Sequence, residues 1–428
     1  MRYYKSPYNK IIKTNDNKIL LFIGITGKIV EIPNRCIKKL NDVQAEKAGI
    51  VLSNNFKTYL YRAKAIAAKN NANKKINIVI APTMMCNFAC SYCMVRESLN
   101  NKFITTEILD KIIDFIRINS SEYSIEWFGG EPSLASEKIL YFYKKAEKYK
   151  LKNNSSLLIT NGSFLEDNKI WNIIEHHITT IQITLDGMRD YHDKRRYDKN
   201  ALTSSFDRIL KNLDLLYSKI ISGNIEHKIR VIIRCNIDKR NCNSYIALRN
   251  LIVSRYNFQF EIQAAQVQKT GNTNYDTYLM SNKEYSKFLI DLFYNHGIIE
   301  EPFLPPYRNF YQHCRVNNPY SYVFDPIGNI YKCAVDLGND NKIIGNLMNN
   351  KKYNEEVETK YLLSTTDFLP NNCKKCVLLF FCFGGCPQKR INNNLKSYCP
   401  FQKSNLSKFI EIEYKLQKAR EEISKFII

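Results

Sequence analysis

Between Asn77 and about Gln266 the chain alternates short apolar runs with longer stretches of helical periodicity, and this alternation narrows its folds most. The spacing predicts strands at Ile76–Ala81, Tyr123–Phe128, Ser156–Thr160, Thr179–Leu185, Lys228–Asn236 and Phe258–Gln263. Helices are expected between them at Thr106–Ile118, Ser136–Tyr149, Glu166–His176, Thr203–Ser218 and near Ser244–Ser254. Strands joined through helices by short connections pair in parallel, so the segment reads as an α/β sheet of about six strands. Such a sheet can curl into a partial (β/α) barrel, with functional groups gathered at the C-terminal ends of its strands.

The flanks read differently. Residues 1–75 open with strand-like runs at Ile11–Lys13, Ile19–Ile23 and Ile29–Ile32, parted by turn signals at Asn15–Asn17 and Gly27. Helical stretches follow at Val43–Ile50 and Lys57–Ala68. A small β/α module of this kind can hold a peptide strand by edge addition, or serve as a packing cap. After the core, taken as 76–299 and closing on a helix at Asn282–His296, residues 300–402 have little regular pattern. Residues 403–428 read as an amphipathic, charge-mixed helix that packs.

The chain carries 13 cysteines, with no run approaching the roughly 20 apolar residues of a membrane span. Met1–Asn17 is polar, without an apolar signal-peptide core, so the expected compartment is cytoplasmic and no membrane partner is expected. In such a chain cysteines mean metal or catalysis more often than disulfides. The net charge of +22 comes largely from lysine dispersed among asparagine, as in Lys69–Lys75 and Asn349–Lys352. That pattern reads as a solvated surface, and no nucleic-acid recognition motif accompanies it.

Cys86-Asn87-Phe88-Ala89-Cys90-Ser91-Tyr92-Cys93 has the spacing C-x3-C-x2-C in the loop after the first core strand. Three thiolates on one loop can each take one iron of a [4Fe–4S] cube, leaving the fourth iron open as a catalytic site requires. A structural zinc ion is the alternative, but no nearby Cys or His supplies its fourth ligand. This loop resembles the defining motif of the radical S-adenosylmethionine (SAM) superfamily. The resemblance implies that the amino and carboxylate groups of SAM chelate the open iron. It also implies reductive cleavage to methionine and a 5′-deoxyadenosyl radical that takes hydrogen from a substrate.

Further elements follow the strand ends. Gly129-Gly130-Glu131-Pro132 combines close backbone approach with a carboxylate that can accept from an ammonium group. It is similar to the family's GGEP motif, which assigns Gly129, Gly130 and Glu131 to SAM. Thr160-Asn161-Gly162 resembles the family's TNG element. Thr184-Leu185-Asp186-Gly187 with His192-Asp193-Lys194-Arg195-Arg196 resembles the S-x-DG…HD-x-x-R stretch of its peptide-modifying branch, with Met188 where that branch has Pro. By this resemblance Arg196 is the candidate for the SAM carboxylate, and Thr160, Asn161, Thr184 and Asp186 line the pocket. His192 and Asp193 taken singly read as satisfied structural residues, and Arg234 on the fifth core strand as a possible cavity residue.

Seven cysteines remain in the loop-rich region: Cys314, Cys333, Cys373, Cys376, Cys382, Cys386 and Cys399. Taken alone they fit two iron–sulfur clusters, one short of a full ligand set, or two zinc ions. Their spacing resembles the SPASM domain. The resemblance implies an inner auxiliary cluster on Cys314, Cys333 and Cys386, and an outer one on Cys373, Cys376, Cys382 and Cys399. It therefore implies three [4Fe–4S] clusters in all, on a partial (β/α)6 TIM-like barrel with a C-terminal SPASM iron–sulfur domain.

Enzymes of this type mostly modify peptides or proteins. The expected activity is the modification of a ribosomally synthesised precursor peptide through an intramolecular thioether, C–C or ether crosslink. A reductant such as flavodoxin or ferredoxin would supply electrons. Anaerobic sulfatase maturation to formylglycine, peptide epimerisation and, outside enzymes, zinc-dependent nucleic-acid binding are the competing readings.

Overall fold

The structure, a computed structural model, describes residues 7–24, 27–32, 75–95, 101–199, 203–223, 227–269, 275–300, 304, 314–349 and 354–426. The helices expected at Val43–Ile50 and Lys57–Ala68, and Cys36, lie outside the described residues. The chain divides into two compact units, one of Lys74–Met280 with Tyr320–Glu358, the other of Met1–Asn73, Ser281–Pro319 and Thr359–Ile428.

The second of these begins with a three-stranded antiparallel sheet, β1 (Asn9–Lys13), β2 (Ile19–Ile23) and β3 (Lys28–Glu31), with β2 in the middle. Leu20–Ile23 of the central strand are all buried. The aromatic residues of the cysteine-rich segment meet this sheet: Phe381 lies 5.5 Å from Phe22, and Phe380 5.0 Å from Tyr8. The same unit holds the expected helix Asn282–His296, opened by a capping box of Ser281 and Glu284, and the closing helix Leu406–Phe426.

The other unit is built on parallel strands: β4 (Ile76–Ile80), β5 (Glu122–Trp127), β6 (Lys152–Thr160), β7 (Thr180–Thr184), β8 (Arg230–Ile237) and β9 (Phe260–Gln266). Between them run α1 (Thr106–Asn119), α2 (Ser136–Lys148), α3 (Asn168–His177), α4 (Arg189–Arg195), α5 (Ser205–Ile221) and α6 (Cys242–Tyr256). Each strand pairs in parallel with the next in sequence. The expected α/β architecture with a parallel sheet is present.

Local sequence accounts for these elements. β5 alternates buried Tyr123, Ile125 and Trp127 with partly exposed residues, the period of a pleated strand. α1 buries Ile108, Leu109, Ile112, Ile113 and Ile116 along one stripe, and Thr105 caps it by accepting from the Ile108 amide at 3.2 Å. Each such aliphatic side chain contributes roughly 1.5–3 kcal/mol when fully buried. Between sheet and helices, Trp127 donates to Tyr143 at 2.9 Å and Tyr143 to Ser156 at 3.0 Å, so the buried polar tips are paired.

The sheet is larger than the six strands predicted. β10 (Ser321–Phe324) pairs in parallel with β4, and β11 (Asn329–Tyr331) and β12 (Gly345–Asn346) follow antiparallel, giving nine strands in the order β12-β11-β10-β4-β5-β6-β7-β8-β9. These strands come from the region with little sequence pattern. At 4, 3 and 2 residues they are too short to display a period. Val323 and Tyr331 join Val79, Ala81 and Met84 in a core against which Cys93 packs.

Candidate active site

The parallel ladder sets the strand ends side by side: Ile80 pairs with Trp127, Thr160 with Ile183, and Thr184 with Arg234. The residues singled out by sequence follow these ends. The cysteine loop leaves β4, Gly129–Glu131 leave β5, Thr160 ends β6, and Thr184 ends β7 with Asp186 just after it.

The cysteine loop is fastened along its length. The Ala89 amide donates to the Tyr197 carbonyl and the Ser91 amide to the Arg195 carbonyl, both at 3.0 Å. Lys199 Nζ donates to the Cys86 carbonyl at 3.1 Å. The Gly130 amide donates to the Thr83 carbonyl at 3.1 Å and the Glu131 amide to the Met85 carbonyl at 2.7 Å, which seats the loop on the turn after β5. That approach is why the turn needs glycine. A Cβ on Gly130 would stand 2.0 Å from the Met85 carbonyl oxygen, and one on Gly129 (φ +129°) 2.7 Å from that of Thr83.

The thiols of Cys86, Cys90 and Cys93 lie close enough to perturb one another. Burial pushes the Cys86 thiol up to about 12 and that of Cys90 to about 11. Without metal both stay protonated at neutral pH; bound iron would supply the charge that makes them thiolates. Among the described residues no three Cys, His, Asp or Glu side chains converge as one metal ion requires. A cube asks less convergence, since each thiolate takes a different iron, and this donor set fits it.

Glu131 is buried and heavily engaged. Its Oε1 accepts from the Ser133 amide at 3.1 Å, Ser133 Oγ at 2.6 Å and Thr160 Oγ1 at 2.7 Å; its Oε2 accepts from the Asn161 amide at 2.7 Å. Burial raises its carboxyl above the ordinary glutamate range, against the pull of these donors. Asn161 Nδ2 in turn donates to Asn87 Oδ1 at 2.8 Å, and Asn87 Nδ2 donates to Ser163 at 3.1 Å and Asp198 at 3.0 Å. The residue after the first cysteine thus ties the loop to β6, a role no sequence signal announced.

Tyr92, noted in the sequence only as the aromatic before Cys93, is a second node. Its hydroxyl donates to Asp186 Oδ2 and accepts from Arg196 Nη1 at 2.9 Å and Asn236 Nδ2 at 3.1 Å. Asp186 is fully buried, and its Oδ1 accepts from the Asn236 amide at 2.8 Å, so the chain itself engages both of its oxygens. Arg195, also buried, stands between Asp186 at 3.7 Å and Asp238 at 3.5 Å with its guanidinium 5.0 Å from the Tyr92 ring centre. Arg196 Nε has no partner among the described residues. Arg234 shares a strand face with Asn236 and donates to it from Nε at 2.9 Å. Thr184 is buried at the end of β7. His192 Nδ1 accepts from the Asp186 amide at 3.1 Å, while Asp193 accepts from Ser205 Oγ at 2.8 Å and the Phe206 amide at 2.9 Å at the start of α5. Both serve the scaffold.

Of the later cysteines, Cys373, Cys376, Cys382 and Cys399 lie within electrostatic reach of one another, as do Cys314 and Cys386. Cys314, Cys382 and Cys386 line a cavity of about 430 Å³ with Phe381, Tyr398 and Gln402. Burial pushes the Cys382 thiol up to about 12. Cys333 follows β11 in the unit built on the parallel strands.

Residues 80–230 match the family described as the radical SAM superfamily. The chain carries a radical SAM domain. With that domain it uses SAM and a [4Fe–4S] cluster, and its reading as a zinc-dependent nucleic-acid binder is set aside. The radical SAM cyclopropyl synthase TigE of Paramaledivibacter caminithermalis is 22% identical over 95% of this chain and 96% of its own. The serine-type anaerobic sulfatase-maturating enzyme of Bacteroides thetaiotaomicron is 24% identical over 74% of this chain and 84% of its own. The solved structure of native anSMEcpe with bound AdoMet and Cp18Cys peptide superposes with a TM-score of 0.60 at 19% identity, covering 82% of this chain and 99% of that one. Among the described residues no helix of this radical SAM enzyme is long and apolar enough to cross a membrane.

Proposed function

We propose that this radical SAM enzyme modifies a ribosomally synthesised peptide by joining two of its residues through a thioether, carbon–carbon or ether link. The observation that carries the reading is the reach of the alignment with the cyclopropyl synthase, which takes in 95% of this chain, well beyond residues 80–230. The anSMEcpe structure with bound AdoMet and Cp18Cys peptide, whose fold this chain shares, adds support. So does the SPASM-like spacing of the late cysteines. In this reading Cys86, Cys90 and Cys93 hold the SAM cluster. Cys373, Cys376, Cys382 and Cys399 hold an outer auxiliary cluster, and Cys314, Cys333 and Cys386 an inner one. A flavodoxin or ferredoxin delivers electrons.

The bound cluster and SAM together supply a hydrogen-abstracting carbon radical. The chain's own part is to place them. Gly129 and Gly130 admit the cysteine loop, and Glu131 Oε2, with one donor, has room for the SAM ammonium group. Arg196 suits the SAM carboxylate, and Arg234 lies on a strand face whose Asn236 reaches Tyr92. Thr160, Asn161 and Thr184 line the same strand ends. Asp186 acts one step back, by holding Tyr92.

The test is anaerobic incubation of reconstituted enzyme with peptides encoded beside its gene. The expected product has lost two hydrogens and keeps the joined fragments together in tandem mass spectra. An unchanged peptide mass overturns the reading. The sulfatase-maturing relative favours formylglycine formation as the second reading; fragments that separate freely and carry an aldehyde would select it.

A further inference from the structure

Arg390 is a buried cation for which the described residues supply no ordinary counter-ion. It lies in the short helix Pro387–Ile391, four residues after Cys386, with its side chain fully buried. Nη1 donates to the Phe368 carbonyl at 3.2 Å and Nη2 to the Ser364 carbonyl, while Nε has no partner among the described residues. Among the described residues no carboxylate pairs with it. The ionisable groups facing it are the thiols of Cys373, Cys382 and Cys386. The chain makes room for it: Gly384, at φ +86°, would with a Cβ stand 2.9 Å from Nη1 and 3.2 Å from the guanidinium carbon.

A guanidinium keeps its proton at any ordinary pH. Taking it out of water is costly unless an anion or a full set of acceptors replaces the lost solvent, and two carbonyl oxygens do so only in part. Protonated thiols would leave that charge standing. Metal-bound thiolates would not, since a cysteine-ligated iron–sulfur cluster carries net negative charge that deepens on reduction. Lys403, which donates to Cys399 Sγ at 3.3 Å, is water-exposed by comparison, and solvent screens it.

We propose that Arg390 is the shared counter-charge of the two C-terminal cysteine sets, raising the reduction potentials of both auxiliary clusters together. The proposal rests on the reading that those cysteines hold [4Fe–4S] clusters. Cys373 and Cys382 belong to the outer set and Cys386 to the inner one, so a single side chain addresses both. A fixed cation favours the more negative, reduced state of each cluster, and a buried one does so with little screening. Arg390 is thus a positioning and tuning residue that acts through the cysteines.

The full chain is reconstituted anaerobically as wild type, Arg390→Lys and Arg390→Met. Iron and sulfide are counted, and the clusters are titrated by electron paramagnetic resonance, the SAM-binding cluster being recognised by its response to added SAM. Wild type should carry about twelve irons, four for each cluster. Arg390→Met should move both auxiliary midpoints to more negative potential while retaining iron, and Arg390→Lys should move them less. Unshifted midpoints in a fully loaded Arg390→Met protein overturn the proposal. So does equal loss of auxiliary iron in both variants without a midpoint shift, which would make Arg390 a packing residue. A wild-type chain that takes up only about four irons would instead bring down the auxiliary-cluster reading on which the proposal stands.

Discussion

Tyr92 concentrates more of the site's polar contacts than any cysteine beside it. Its hydroxyl serves Asp186, Arg196 and Asn236 at once. Tyr92→Phe removes only the hydroxyl oxygen but leaves two buried groups, Asp186 and Arg196, each short of a partner, at about 1–3 kcal/mol per unsatisfied group. Both tryptophans, Trp127 and Trp171, belong to the parallel-sheet unit, so intrinsic fluorescence during denaturant unfolding follows that unit. The expected loss is roughly 2–3 kcal/mol for Tyr92→Phe. The double variant with Asp186→Asn should lose less than the sum of the single ones, because the two share one bond. Strict additivity would show that the residues do not act as a pair.

A second residue-scale prediction concerns pH. His177 stacks on Tyr143 at 4.1 Å, its side chain is 14% exposed, and burial holds its imidazole down to about 4. Its folded pKa lies below the unfolded value of about 6.5, so the unfolded chain takes the proton first. The contribution is therefore complete above the unfolded value and drains away as pH falls toward the folded one. Its ceiling is about 3 kcal/mol. Burial pushes His192 in the same direction, but that residue stays in both proteins when wild type is compared with His177→Phe. The stability difference between them should narrow or reverse in favour of the variant between neutral pH and pH 5, read by fluorescence-detected unfolding. A difference that does not change with pH would contradict this account.

At the scale of elements, the turn after β5 and the cysteine loop are one object held in two pieces of sequence. Gly130→Ala puts a methyl group where the Met85 carbonyl stands, and the loop must yield. Overpacking of this kind costs about 1–3 kcal/mol, and here the displaced atoms belong to the segment that carries Cys86. The variant should fold, as followed by tryptophan fluorescence, yet take up distinctly less iron at the first site on reconstitution; normal iron and normal SAM cleavage would refute the close-approach argument.

The same elements mark what the sequence can disclose. The six parallel strands were legible because each is long enough to display its period, and the site loops because they follow those strands. β10 to β12 were illegible for the opposite reason, at 4, 3 and 2 residues. Tyr92 could be read as aromatic, but its partners Asp186 and Asn236 lie 94 and 144 residues away, and nothing local encodes those bonds. Of the adjacent Arg195 and Arg196, sequence could not say which would stand between two buried aspartates and which would reach the tyrosine hydroxyl. Asn87 gave no signal, because its function is only to tie the cysteine loop to the end of β6.

On the scale of the whole molecule, the beginning and the end of the chain form one unit. Tyr8 donates to the Lys374 carbonyl at 2.5 Å, Phe22 packs on Phe381, and a Cβ on Gly24 would stand 2.3 Å from the Val377 carbonyl oxygen. Tyr414 of the closing helix donates to Glu31 on β3. These contacts bear on the expectation that residues 1–75 recognise a peptide leader. A module devoted to that task could be deleted without harm to the metal sites. Here deletion would strip the cover from Phe380 and Phe381, which lie between Cys376 and Cys382 in sequence and are buried in the intact chain. Fully burying one such aromatic contributes about 1.5–3 kcal/mol, and two are lost with the sheet. A chain beginning at residue 76 should therefore retain the parallel-sheet unit and its tryptophan fluorescence transition, but lose auxiliary iron along with any peptide affinity. Iron counts and peptide-binding isotherms on the same preparation check this. If the shortened chain kept its full iron and lost only peptide binding, the N-terminal sheet would be a recognition module alone, and its packing against the cysteine-rich segment would carry no stability.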